Sequence, residues 1–192
     1  MSDDRVSLRP VAAADLPALD AMLNDPEAPG EFQWFGWRDP QRFSRQWAEN
    51  GLLGEGQWVL AVAVRDEYCG FVAATRMGPR PVAPYWSLGA QLVRAARGRG
   101  IGTQAQRLLV DYMFAHTPTM RLEADTEAGN LAEQRVLEKL GFTREGVQRA
   151  GTFRGGEWRD VVRYGLLRTD PRPQGPSVGT GSGPVAGSRV SR

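Results

Sequence analysis

Apolar and polar residues alternate from Arg5 to Pro10, the two-residue period of a half-buried strand. The period then lengthens. Asp15-Leu16-Pro17 carries the signals of a helix start, and Leu16, Leu19, Met22 and Leu23 fall on one face. Residues 25–40 lose the period and gain prolines and glycines, which predicts a loop. A short helix over 40–49 follows, with Phe43 and Trp47 one turn apart. Trp58–Val64 and Cys69–Arg76 are predicted as a hairpin joined by Arg65-Asp66-Glu67. Three prolines in 79–84 exclude an interior strand there, and Tyr85–Val93 is the fourth strand.

Ile101–Ala115 sets Ile101, Ala105, Leu108, Leu109, Tyr112 and Met113 in a helical stripe. Thr119–Thr126 is the fifth strand, and Leu131–Leu140 a helix closed by Gly141. Phe142–Gln148, continued by Gly151–Arg154, and Trp158–Leu167 end the pattern. The order β-α-α-β-β-β-α-β-α-β-β predicts an α/β (α+β mixed) fold, a mixed sheet with helices on its faces. Residues 1–168 form one domain. From Thr169 the chain is rich in Pro, Gly and Ser, cannot offset its ordering entropy by burial, and is expected to be a disordered tail over 169–192.

Between the fourth strand and the long helix lies QLVRAARGRGIGTQAQR, Gln91 to Arg107. Arg97, Gly98, Arg99, Gly100 and Gly102 sit within six residues. Glycines let backbone N–H groups converge, because no Cβ obstructs a left-handed turn or close approach. The next helix opens with unpaired N–H groups and a positive dipole end. Together these suit a phosphate or pyrophosphate, with Arg97 and Arg99 adding charge-assisted hydrogen bonds. The spacing G-x-G-x-G is not the dinucleotide fingerprint, and no G-K-[ST] follows.

Composition narrows the picture. The 192 residues suffice for a domain with a substantial core. No apolar run reaches the length of a membrane span and the start lacks a signal peptide's apolar segment, so a cytoplasmic protein without membrane contact is expected. Cys69 allows no internal disulfide, and with His116 as the single histidine no metal is expected. The net charge of +2 lies in the tail, which holds Arg172, Arg189 and Arg192 against Asp170. No basic stripe with interleaved aromatics points to nucleic acid.

Arg97-x-x-Gly100-x-Gly102, after a strand and before an amphipathic helix, resembles the acyl-CoA pyrophosphate loop of the GNAT superfamily of N-acyltransferases. NLAEQRVLEKLGF, Asn130 to Phe142, resembles a second signature of that family: an Asn opening a helix, Val136 and Leu137, then Glu138, Lys139, Gly141 and Phe142. FRGGEWRDVVRYGLL is similar to the final hairpin of the ribosomal-protein-type, Rim-like branch. The resemblance covers about residues 5–168. It implies a mostly antiparallel sheet splayed between strands four and five, with acetyl-CoA entering the splay. Gln91, Leu92 and Val93 would hold the pantetheine through their backbone, the N–H near Leu92–Val93 polarising the thioester. Arg97, Gly98, Arg99, Gly100, Ile101, Gly102 and Thr103 would hold the pyrophosphate, and Asn130 the pantetheine arm.

The implied reaction is acetyl transfer to a primary amine: a protein N-terminal α-amine, an amino acid, a polyamine or an antibiotic. The chain departs from the family at three proton-handling positions. Ser87 stands where many members have Glu, Leu137 where many have Tyr, and Glu133 where Rim-like members have Ser. Glu123, Glu133 and Ser87 are the remaining catalytic candidates, each carboxylate having an ion pair to a nearby Arg as its alternative role. The loop's aromatics Phe32, Trp34, Phe35 and Trp37, and with them Tyr85, are candidates for the acceptor wall; the loop aromatics have packing on the core as their alternative. A homodimer is an expectation of the resemblance. A non-catalytic acyl-CoA-binding module is the competing class.

Overall fold

The computed structural model describes residues 5–27, 30–34, 36–78 and 84–173. Val6–Pro10 (β1) precedes a single 3-10 turn and Leu16–Asn24 (α1). Arg42–Asn50 (α2) leads into Gln57–Val64 (β2), Glu67–Met77 (β3) and Tyr85–Leu92 (β4). Ile101–His116 (α3), Arg121–Glu127 (β5), Leu131–Lys139 (α4), Thr143–Arg154 (β6) and Glu157–Leu167 (β7) complete it. The seven strands form one sheet in the order β1-β2-β3-β4-β5-β7-β6. β4 and β5 run parallel; the other neighbours are antiparallel.

Strand alternation divides the core between the two faces. Val62, Val72, Trp86, Leu88, Leu122 and Val162 point to the face covered by α3 and α4. Val59, Ala61 and Phe71 point to the other, under α1 and α2. The predicted order of elements is the observed one, and the differences lie at their ends. β3 begins at Glu67, not Cys69, because Arg65 and Asp66 both adopt positive φ and make a two-residue turn that matches the strand twist. β6 is continuous across the interruption expected after Gln148. The register shifts there, Ala150 has φ 51°, and its N–H donates to Asp160 Oδ1 at 2.9 Å.

The chain also stays on the body past Thr169, where the tail was expected to begin. Arg172 pairs with Asp111 at 2.8 Å, and Arg107 donates to the Pro173 carbonyl at 2.8 Å. Residues 174–192 lie outside the described residues.

One glycine sets the approach of β3 to β4. Gly70 has φ 140°, and a Cβ there would stand 2.2 Å from the Gln91 carbonyl oxygen and 2.7 Å from Leu92 Cα. Gly70→Ala must push β4 away or bend β3. It should lower the unfolding free energy by about 2 kcal/mol or more, measured by urea denaturation. Wild-type stability in the variant would contradict this packing.

Candidate active site

β4 and β5 share only two register positions, Trp86↔Leu122 and Ser87↔Glu123. Beyond them the strands diverge, β4 staying with β3 through Gly70↔Leu92 and β5 with β7 through Glu127↔Val161. The result is a wedge that opens toward the C-terminal ends of both strands.

Backbone groups alternate sides along a strand, so only alternate residues of β4 face the wedge. The Val93 N–H donates to the Cys69 carbonyl at 3.0 Å, on the β3 side. Gln91, two residues earlier, faces β3 as well, opposite Phe71. Its side chain is buried, with Nε2 donating to the Met22 carbonyl at 3.4 Å. This corrects the assignment of Gln91 and Val93 to a pantetheine-holding edge, and of Val93 to a thioester-polarising role. The groups that face the wedge belong to Ala90 and Leu92. The Leu92 carbonyl accepts from Arg97 Nε at 2.9 Å.

The glycine loop follows. Gly98 and Gly100 have φ 72° and 77°, which L side chains rarely adopt, and nothing stands within 4 Å of a Cβ built on either. Ile101 is buried and starts α3, whose first backbone bond is Gln104 N–H to the Gly100 carbonyl at 3.1 Å. The N–H groups of Ile101, Gly102 and Thr103 are left at the open helix end. Arg99 is exposed beside them. Arg97 is placed differently from expectation. Its guanidinium folds back along β4 and lies against Gly30, where a Cβ would come within 2.6 Å of Nη1. Burial, then the nearby Arg94 charge, holds its pKa below the ordinary arginine value.

Below the wedge lies a cavity of about 460 Å³ whose wall includes Gly89, Asp125, Glu127, Glu133, Arg163 and Phe32. Of the predicted catalytic residues only Glu133 is among them. Its Oε1 accepts from Gln106 Nε2 at 2.9 Å, and burial raises its pKa while that hydrogen bond lowers it by less. Glu123 and Ser87 are side by side where the strands still pair, outside the cavity wall. The Glu123 carboxylate accepts from Arg121 Nε at 2.6 Å, and Arg121 also bonds Glu145. Leu137 is fully buried in the α3–α4 core.

Asn130 caps α4: Oδ1 accepts from the Glu133 N–H at 3.3 Å, and Nδ2 donates to Thr126 Oγ1 at 3.0 Å. Three of the aromatic residues expected in the acceptor wall are elsewhere. Trp34 and Trp37 meet edge to face at 5.3 Å, and Trp37 is 76% exposed. Tyr85 opposes Met77 at the closed end of the wedge. None of the three lines the cavity, and Phe35 lies outside the described residues. Of the loop's aromatics Phe32 does line the cavity, with Gln33 beside it and Arg154 over the Phe32 ring at 5.3 Å.

Asp125 was missed. It shares the Glu123 face of β5, two residues on, which strand periodicity alone makes visible. Burial raises its pKa, Arg163 lowers it, and Glu123 raises it again. Among the described residues no cluster of His, Cys, Asp and Glu could hold a metal ion, and no helix is long and apolar enough to cross a membrane.

Residues 5–143 match the model of the acetyltransferase (GNAT) domain. The chain belongs to the GNAT family. A GNAT relative, the probable N-acetyltransferase YjcK of Bacillus subtilis (strain 168), is 41% identical over 83 residues, 43% of this chain and 46% of its own length. The chain thus matches about half of that relative. The same fold occurs in the spermidine N-acetyltransferase of Vibrio cholerae in complex with CoA and spermine. Its TM-score is 0.76 at 15% identity, covering 86% of this chain and 96% of that one. RimL, a ribosomal L7/L12 alpha-N-protein acetyltransferase in complex with CoA, has a TM-score of 0.69 at 18% identity, over 84% and 93%.

Two predictions arise from this geometry. Gly100→Asp forces a strained φ and sets a carboxylate at the helix N-terminus, so CoA affinity by calorimetry should fall more than about tenfold. A folded Gly100→Asp variant that binds CoA as tightly as wild type would remove the pyrophosphate from this loop. The second concerns Glu133. A raised carboxyl pKa contributes stability that is fully present below the ordinary value and is lost as pH rises through the raised one. Glu133→Gln keeps an acceptor for Gln106 and removes that loss. Its Tm should exceed wild type by roughly 2 °C at neutral pH, with the gap closing toward about pH 4.

Proposed function

We propose that this protein transfers the acetyl group of acetyl-CoA to a primary amine held in the cavity under the β4–β5 wedge. The observation that carries this reading is a juxtaposition. Gly89 and Ala90 of β4, beyond its last pair with β5, line a cavity whose wall also holds Asp125 and Glu133, two carboxyl groups whose pKa burial raises, and the glycine loop follows on the same strand. Family membership and the two CoA-bound neighbours of the same fold support it.

When bound, acetyl-CoA supplies an activated thioester carbonyl. Ala90 and Leu92 offer backbone groups along the wedge to hold the pantetheine as an added strand would. The N–H groups from Gly98 to Thr103 hold the pyrophosphate, with Arg99 beside them. The Leu92 N–H, on the side of β4 away from β3, would polarise the thioester oxygen. In the transfer, the amine nitrogen bonds the carbonyl carbon and the carbon–sulfur bond breaks. Asp125 takes the proton the amine must lose. The leaving thiolate takes its proton from solvent in the cavity, beside the Glu133 carboxyl group in its wall. Much of the rate enhancement comes from positioning the two reactants.

The altered positions at Ser87, Leu137 and Glu133 are what motivates the competing module without turnover. The carboxyl groups in the cavity wall, on β5 and α4, weigh against that reading. Thiol release from acetyl-CoA against peptides, amino acids, polyamines and aminoglycosides tests the proposal. CoA binding without release from any acceptor would favour the module.

The roles of the carboxylates are separable by pH. Asp125→Asn should cut kcat/KM about a hundredfold where the amine is protonated. The deficit should narrow as pH approaches the amine's own pKa, near ~8 for an α-amine. Glu123→Gln, whose residue is engaged by Arg121, should have a small effect that is flat with pH. The reverse pattern would return the base to Glu123.

A further inference from the structure

Three carboxylates of β5 point to the cavity face, and each has an arginine within reach. Two pairs are closed. Glu127 accepts from Arg154 at 2.6 and 2.9 Å, both carboxylate oxygens engaged. Glu123 accepts from Arg121 at 2.6 Å. The middle pair is loose: Asp125 and Arg163 are direct cross-strand partners and ion-paired, yet their closest approach is 3.9 Å and both side chains stay partly exposed. Among the described residues neither side chain makes a hydrogen bond, and both line the cavity. Neighbouring strands bring opposed side chains close enough to touch, so the gap is not a limit of reach.

We propose that Asp125 and Arg163 are a recognition pair for an acceptor whose amine stands one carbon from a carbonyl or carboxylate oxygen. This rests on the acetyltransferase reading and names the acceptor class within it. The amine lies against Asp125, which takes its proton, and the oxygen accepts from the Arg163 guanidinium. A planar guanidinium suits such an oxygen, whereas a further ammonium there would be repelled. Free α-amino acids and peptide N-termini share this chemistry. Polyamines do not, because they have no oxygen beside the amine and bring further cations toward Arg163. Arg163 is a specificity residue here and touches no reacting atom.

The test is kcat/KM by thiol release for four acceptors: an α-amino acid, its amide, the decarboxylated amine of the same side chain, and spermidine. The two carbonyl-bearing acceptors should exceed the decarboxylated amine by about tenfold or more, the worth of one charge-assisted hydrogen bond. Preference for the free acid or the amide then separates amino acids from peptide N-termini. In Arg163→Gln the ratio of amide to decarboxylated amine should fall toward one, mainly through KM, and Arg163→Lys should restore part of it. Turnover of spermidine and the simple amine with no gain from the carbonyl would overturn the pairing and leave the acetyltransferase reading intact. An unchanged ratio in Arg163→Gln would also overturn it. No thiol release from any acceptor by the folded protein would overturn both.

Discussion

The constraint on which the site depends is that β4 and β5 stop pairing after two residues. Each strand is fully committed on its outer side. β3 holds β4 to Leu92, and the Val93 N–H is taken by Cys69. β7 holds β5 from Arg121 to Glu127. The α3–α4 core fills the space beneath, with Leu88, Leu122, Ala124 and Leu137 in one apolar cluster, so the strands cannot close by sliding together. The inner edges keep polar backbone groups that need partners. An exposed edge is ordinarily a hazard, and a ligand that pairs with it turns the hazard into a binding surface.

The same strand carries the electrostatics. Placing Glu123, Asp125 and Glu127 on one face sets like charges along it, which is unfavourable unless cations answer. Arg121 and Arg154 answer at the two ends and come from different parts of the sheet. Arg154 also covers Phe32, so one side chain neutralises β5 and seats the α1–α2 connection over the cavity. The centre is left less neutralised, and the pKa of Asp125 is raised there. A pair closed like the other two would be more stable and less available to a substrate.

What the chain makes legible follows the range of the interactions. The element order is readable because each element's period is local. The glycine loop is readable because Gly98 and Gly100 need φ values that other residues avoid, so their identity reports the backbone directly. Parity on β4 was one residue out, since the odd set is claimed by β3 through a contact between Cys69 and Val93 that no local pattern shows. Which loop aromatic lines the cavity is hidden for a similar reason. Four aromatics in a loop do not say which will face inward, and Phe32 is chosen by Arg154, far away in sequence. Asp125 differs from Glu123 in its partner: Arg121, two residues away on β5, bonds Glu123, whereas the partner of Asp125 is Arg163, across on β7.

The first turn of α4 shows how one short segment serves both stability and chemistry. Asn130 caps the helix and ties it to Thr126 at the end of β5, so the helix start is fixed to the wall of the wedge. That cap places Glu133 in the first turn, where the dipole favours a carboxylate. Burial against α3 opposes ionisation, and burial wins, because the pKa is raised and Gln106 offers only one neutral hydrogen bond. A serine in this position would satisfy the helix at no such cost. Glutamate adds a titratable group near the wedge, and the penalty for burying its charge falls on the fold. The strain is confined to a turn fixed on both sides, by the Asn130 cap and by Gln106.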